Sequence, residues 1–131
     1  MKHYNVVAAV VCHDGKYLCM QKGKTKFEYT SYKWEFPGGK IEPGETPQQC
    51  IEREIREELA TEVKAERVLG VVDYDYPNFH LTMHCILCSL VSGELKLLEH
   101  EAAKWVTKET LRSVDWLPAD QLILDKIEEI L

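Results

Sequence analysis

The sequence predicts an α/β fold with helices packed on a mixed β-sheet, and three observations lead there. Runs rich in Val, Ile, Leu and aromatic residues recur along the chain, with turn signals between them. Two other segments carry apolar residues at helical spacing. The two kinds of segment are interleaved rather than grouped in blocks.

The first strand is expected near residues 4–12, where Val6, Val7, Ala8, Ala9, Val10 and Val11 read as a buried run. That run is far shorter than the ~18 apolar residues a membrane span needs, and no signal-peptide cleavage pattern follows it. His13-Asp14-Gly15 is a turn signal leading to a second strand near 16–21. Residues 22–33 are polar, with Lys22, Lys24, Lys26 and Lys33 among Phe27, Tyr29 and Tyr32. A connection of this length is either a functional loop or a mobile one. Next comes a well-punctuated helix. Thr46 suits its N-cap, Pro47 its first position, and Gln49 completes a capping box. Ile51, Ile55 and Leu59 form its apolar stripe. Strands near 67–76 and 80–91 flank a Pro77-Asn78 turn, and a short strand is expected at 103–106. A closing helix over 119–131 turns Leu122, Ile123, Ile127, Ile130 and Leu131 toward the core.

At 131 residues, without repeats, low-complexity tracts or linkers, the chain is expected to form one domain over 1–131. A 45% hydrophobic and 29% charged composition is ordinary for a soluble globular protein, as monomer or homodimer. The net charge of −6 argues against coating a nucleic-acid polymer, which wants a basic face. A small phosphate ligand stays open, because bound cations reverse the local field. Five cysteines, an odd number without framework spacing, point to free thiols and a cytoplasmic setting. Cys85-x-x-Cys88 is no zinc pair, since strand residues three apart face opposite sides.

Glu54, Glu57 and Glu58 stand at i, i+3 and i+4 and share one helix face beside the apolar stripe. Like charges so placed cost about 0.2–0.5 kcal/mol per pair. The helix dipole also disfavours anions near a C-terminus. A solvated acidic face balanced by Arg53 and Arg56 is the plain alternative. The upstream context favours a metal site instead. Gly38-Gly39 follows Trp34-Glu35-Phe36-Pro37, and Gly44-Glu45 precedes the helix cap. Glycines let backbone approach an ion or phosphate closely, and several carboxylates with a carbonyl suit Mg²⁺ or Mn²⁺ rather than zinc.

From Gly39 to Glu45, then across seven residues to Arg53-Glu54-Ile55-Arg56-Glu57-Glu58, the chain resembles the Nudix box. Every charged position matches. The pattern closes on a glycine and an apolar residue where this chain has Ala60 and Thr61, which touches the helix exit more than the chemistry. The Trp34-to-Glu42 entry and the Trp116-Leu117-Pro118-Ala119-Asp120 element resemble the MutT-like branch of 8-oxo-dGTP diphosphatases and CTP pyrophosphohydrolases. The resemblance implies the Nudix α/β/α sandwich, a mixed sheet with helices on both sides. It further implies a Mg²⁺-dependent hydrolase, with Mn²⁺ as substitute, that cuts a diphosphate linkage in a nucleotide.

By the same resemblance, Glu54, Glu57 and Glu58 hold metal with the Gly39 carbonyl, while Glu45 and Arg53 orient loop and helix. Glu54 is the first choice for taking a proton from water, with Glu58 also catalytic. Glu99, six residues before Trp105, fits the additional Glu this branch often uses for metal and catalysis; Glu101 competes with it. Lys22 and Lys24 are candidates for the phosphates. Phe36 is a candidate for base stacking, although aromatics at strand positions are more often core. Asp120 is either a base reader or the N-cap of the last helix. The 8-oxoguanine branch is expected to hold Asn there. An ionised Asp only accepts, which favours a base edge with donors such as the cytosine amino group. The leading reading is thus a nucleoside triphosphate pyrophosphohydrolase acting on CTP, dCTP or a modified cytidine nucleotide in pool sanitation. The alternatives are an 8-oxo-dGTP diphosphatase and a non-catalytic nucleotide sensor. ADP-ribose cleavage has weak support, because Pro77 also suits a hairpin turn.

Overall fold

A computed structural model of the chain describes residues 2–92, 95–96 and 100–131. Its elements are β1 (Lys2–His13), β2 (Lys16–Gln21), β3 (Trp34–Glu35), β4 (Gly38–Lys40), α1 (Pro47–Leu59), β5 (Glu62–Tyr76), β6 (Phe79–Ser92), β7 (Ala102–Val106) and α2 (Pro118–Ile130). The sheet runs β3-β2-β1-β6-β5, with β4 added to β1 and β7 to β2. It is mixed, because β1 and β6 are parallel and the other pairs antiparallel.

The strand period of two splits the core into layers on the two faces of this sheet. Val7, Ala9 and Val11 of β1, with Leu18, Met20, Ile86 and Cys88, pack under Ile51, Ile55 and Leu59 of α1. Ala8 and Val10, with Cys19, Met83 and Cys85, pack against Ile123, Leu124 and Ile127 of α2. The helices therefore cover opposite faces, as the sandwich expectation required. Cys85 and Cys88 fall in different layers, which rules them out as one metal pair. Burial raises the thiol pKa of each to about 12, so they act as small apolar side chains.

The local signals work as read. Thr46 Oγ1 accepts from the Gln49 amide at 3.1 Å, and Gln49 Oε1 accepts from the Thr46 amide at 3.0 Å. Asp14 and Gly15 both take positive φ, 52° and 73°, the conformation of a tight hairpin turn. One expectation needed adjustment, and two strands went unforeseen. Strand β5 begins at Glu62 rather than near residue 67, because register shifts between Ala65/Arg67 and Val68/Gly70 break the alternation there. Strands β3 and β4, of two and three residues, are too short for any periodicity to show.

One packing detail positions the site. β1 pairs with β2 only at Cys12↔Tyr17 and His13↔Lys16. Beyond that point β1 takes up β4 instead, through Val6↔Lys40, Val7↔Gly39 and Ala8↔Gly38. A side chain at Gly38 would collide with the Val7 carbonyl, so this approach needs glycine for space.

Ala60 ends α1 in the left-handed conformation, φ 51° and ψ 37°, and its amide donates to Arg56 O at 3.1 Å. The exit that glycine favours is made here by alanine, against its Cβ. Ala60→Gly is expected to stabilise the fold by about 0.5–1 kcal/mol, raising Tm by roughly 2–5 °C. Calorimetry checks this; an unchanged or lower Tm would mean that the exit carries no strain.

Candidate active site

Several elements converge on one open cleft of ≈ 620 Å³. The loop over residues 22–33 forms one wall through Lys22, Lys24, Lys26 and Phe27. Strands β1 and β6 form the floor with Tyr4, Val6, Leu81 and Met83. Gly38, Gly39 and Glu58 lie along another margin, and Phe36, Leu117 and Asp120 close a further side.

The loop is folded onto the body of the protein. Thr25 Oγ1 donates to Phe27 O at 2.6 Å, and a single 3-10 turn, Glu28–Thr30, follows. Tyr29 then donates to Asn78 Oδ1 at 2.7 Å, with Phe27 and Phe79 tilted at 6.4 Å. The loop is thereby tied to the β5–β6 hairpin.

On the α1 side, one guanidinium organises the acids. Arg53 grips Glu45 through Nε–Oε2 at 2.7 Å and Nη2–Oε1 at 3.0 Å. Its Nη1 donates to Glu54 Oε1 at 3.0 Å and Glu57 Oε2 at 3.1 Å, and Nη2 reaches Lys40 O at 3.3 Å. The two-pronged grip suits a planar fork with fixed donors and would be lost to lysine. Glu58 is 6% exposed and faces the cleft, whereas the Glu57 side chain is 57% exposed on the outer margin. The Glu54 carboxylate lies against Gly39, where an added Cβ would meet Oε2 at 2.5 Å and Oε1 at 2.6 Å.

At the opposite end, Trp34 and Trp116 form an isolated bridge, reinforced by Leu117 N→Trp34 O at 2.8 Å. This brings the start of α2 beside Phe36. Asp120 is 4% exposed and accepts from the Phe36 amide at 2.8 Å. It stands third in α2, whose N-cap is Leu117, so the capping role is not the one it fills. Burial, and next the nearby Glu35 charge, push its pKa well above the usual carboxylate range, against the opposing Phe36 amide. The group that looked acceptor-only can therefore retain a proton and donate. The Phe36 ring is committed to the core: it stacks on Trp116 at 4.5 Å and is 3% exposed, leaving the backbone amide as its polar contribution.

The whole chain matches known proteins of one kind. The family model described as the NUDIX domain matches residues 1–129. The chain belongs to the Nudix hydrolase family. It is 32% identical over 125 residues to the Escherichia coli CTP pyrophosphohydrolase, covering 95% of this chain and 91% of that protein. It is 26% identical over 130 residues to the E. coli 8-oxo-dGTP diphosphatase, covering 99% and 100%. The crystal structure of the MutT NUDIX hydrolase from Burkholderia pseudomallei superposes with a TM-score of 0.81 at 29% identity, covering 97% and 99%.

Nudix hydrolases generally use divalent metal ions, and the donors present in this Nudix chain fit one. Carboxylates stacked on a single helix face offer hard oxygens, and the side-chain-free Gly39 lets one of them reach β4. Arg53 already bridges Glu54 and Glu57, which shows that the field there gathers positive charge. Among the described residues no three acidic, His or Cys side chains stand ready-grouped for a metal. With Arg53 Nη1 in contact with two of the acids, rotation of those side chains is needed first. Glu99 lies outside the described residues. His100, which the sequence reading passed over as part of a polar loop, lines the cleft.

The Glu45 carboxyl is drawn from an ordinary 4.5 to about 2, chiefly by its hydrogen bonds from Arg53. A depressed carboxylate stabilises the fold fully above its unfolded pKa and loses that effect as pH falls through its folded value. The Tm difference between wild type and Glu45→Gln is therefore expected to be constant from pH 7 to 5 and to shrink between about pH 4.5 and 2. A difference that holds undiminished to pH 2 would show that the ion pair is not its source.

Proposed function

We infer that this chain is a Mg²⁺-dependent nucleoside triphosphate pyrophosphohydrolase, with Mn²⁺ as substitute, that releases a nucleoside monophosphate and pyrophosphate. The favoured substrates are CTP, dCTP or a modified cytidine nucleotide, in nucleotide-pool sanitation. The supporting observation is one cleft carrying the two ends such a substrate needs. Asp120, held by the Phe36 amide, offers a carboxyl to a base, and Lys22, Lys24 and Glu58 line the same cleft as charges for a polyphosphate and its cation.

In this reading Glu54, Glu57 and Glu58 hold the metal with the Gly39 carbonyl, and Glu99 is assigned to the same metal. Bound there, Mg²⁺ would offset phosphate charge and make a coordinated water a better nucleophile. Glu54 takes the proton from the attacking water. Glu45 and Arg53 fix the loop against the helix, so the acids keep their spacing. Lys22 and Lys24 neutralise the outer phosphates.

The cytidine preference rests on Asp120 and on the similarity to a CTP pyrophosphohydrolase. In either protonation state Asp120 suits the cytosine edge: it accepts from the amino group, or, protonated, donates to N3. A second reading, 8-oxo-dGTP, gains from the raised Asp120 pKa, because in its neutral form the acid offers a donor and an acceptor as asparagine does. A nucleotide sensor would be expected to lose acids from the helix face, and this chain keeps all of them.

Purified protein with Mg²⁺ is expected to release monophosphate and pyrophosphate from CTP, dCTP or 5-methyl-dCTP faster than from 8-oxo-dGTP, GTP or ADP-ribose. Glu58→Gln should keep the fold and lower kcat by roughly a hundredfold or more, equivalent to ~3 kcal/mol of charge stabilisation. Full activity in that variant with normal metal affinity would remove Glu58 from the site. Asp120→Asn should retain the Phe36 bond and shift preference toward 8-oxo-dGTP, read as a ratio of kcat/KM values. Binding without turnover across the panel would put the sensor first.

A further inference from the structure

Strands β2, β3 and β7 end side by side, and their ends gather a polar cluster in which His100 has no role above. Met20 pairs with Glu35 and Gln21 with Ala102, while Glu101 N donates to Gln21 O at 2.9 Å. His100 and Glu35 thus flank the end of β2 from opposite sides. Their side chains meet at 3.0 Å, His100 Nε2 to Glu35 Oε2, and Lys22 Nζ stands 3.5 Å from the same oxygen. All three residues line the nucleotide cleft.

The chemistry of this contact fixes the ring. A carboxylate only accepts, so Nε2 carries the proton that Glu35 receives. In the neutral ring Nδ1 is then a bare acceptor. The His100 side chain is 7% exposed, and Nδ1 is buried with no hydrogen-bond partner among the described residues. Native proteins rarely leave such an atom unpaired, and the exceptions cluster where a ligand, ion or water completes the site. The partner that fits a bare ring nitrogen is a donor. Phosphate oxygens carry none at neutral pH, but a nucleoside carries sugar hydroxyls and, on cytosine, an amino group.

We propose that His100 is a substrate-positioning residue whose Nδ1, oriented by Glu35, accepts a hydrogen bond from the nucleoside half of the substrate. This rests on the reading of the cleft as a nucleotide site and adds to it a polar contact for the sugar or base. Glu35 has two duties: it sets the His100 tautomer and supplies the charge that Lys22 faces. A nucleoside lacking the matching donor leaves Nδ1 buried and unsatisfied, so the pair selects against it.

The test uses the full chain with ¹⁵N-labelled histidine and backbone amides, Mg²⁺, and CTP carrying a methylene bridge between its α- and β-phosphates. On saturation the His100 Nδ1 resonance should move upfield, from an unbonded toward a hydrogen-bonded acceptor, while the Phe36 amide also shifts. His100→Phe should raise KM about tenfold with kcat changed less than about threefold, and His100→Gln, which returns an acceptor, should recover much of that loss. A Phe36 shift with Nδ1 unmoved would overturn the proposal and leave the nucleotide site standing. A Nδ1 already at its bonded position in the free protein would also overturn it, because a buried water is then the partner. No shift at Phe36 would sink the nucleotide reading itself, and this contact with it. The resonance measurement needs no variant, so misfolding of His100→Phe leaves the test intact.

Discussion

The Arg53 guanidinium is the interaction on which the site depends. Three glutamates on one helix face repel each other, and Glu57 and Glu58 also oppose the dipole of the helix end they occupy. Arg53 sits among them and uses its fixed fork in several directions at once: Glu45 on the incoming loop, Glu54 and Glu57 on its own helix, and the Lys40 carbonyl of β4. One side chain thereby both offsets the repulsion and ties β4 to α1. That tie carries more than its own hydrogen bonds, because the close contact of Gly39 with Glu54 exists only while strand and helix stay together.

A second constraint is the parting of β1 from β2. Two register pairs join them before β1 turns its edge to β4 and β2 turns to β3 and β7. The opened sheet exposes part of the α2-side floor, Tyr4, Val6, Leu81 and Met83, as the apolar base of the cleft. Glu58 of α1 reaches it beside the glycines of β4, and Asp120 reaches it from α2. Helices on opposite faces of a sheet can contribute to one cleft only where the sheet gives way between them. The small residues at 38 and 39 permit that.

Two carboxyls near the cleft acquire opposite chemistry from their neighbours. Glu45, beside a guanidinium, is held ionised down to about pH 2. Asp120, beside an apolar core and the Glu35 charge, resists ionisation. Two carboxyls of similar intrinsic acidity thus behave oppositely, one fixed as an anion and the other disposed to keep its proton, chiefly through their surroundings.

The helix cap, the apolar stripe of α1, the hairpin turns and the acidic face were all legible in the sequence. Each depends on residues within a few positions of one another, where local geometry decides the outcome. The spacing of Glu54, Glu57 and Glu58 likewise determined a shared face without reference to the rest of the chain. Only the tertiary structure decided the rest. The Phe36 ring went to Trp116, Asp120 went to the Phe36 amide instead of capping a helix, and His100 met Glu35 across sixty-five positions of sequence. Those partners are set by which strands end side by side and by how deeply each group is buried. A linear pattern carries neither quantity, because desolvation and long-range contact arise only once the layers have packed.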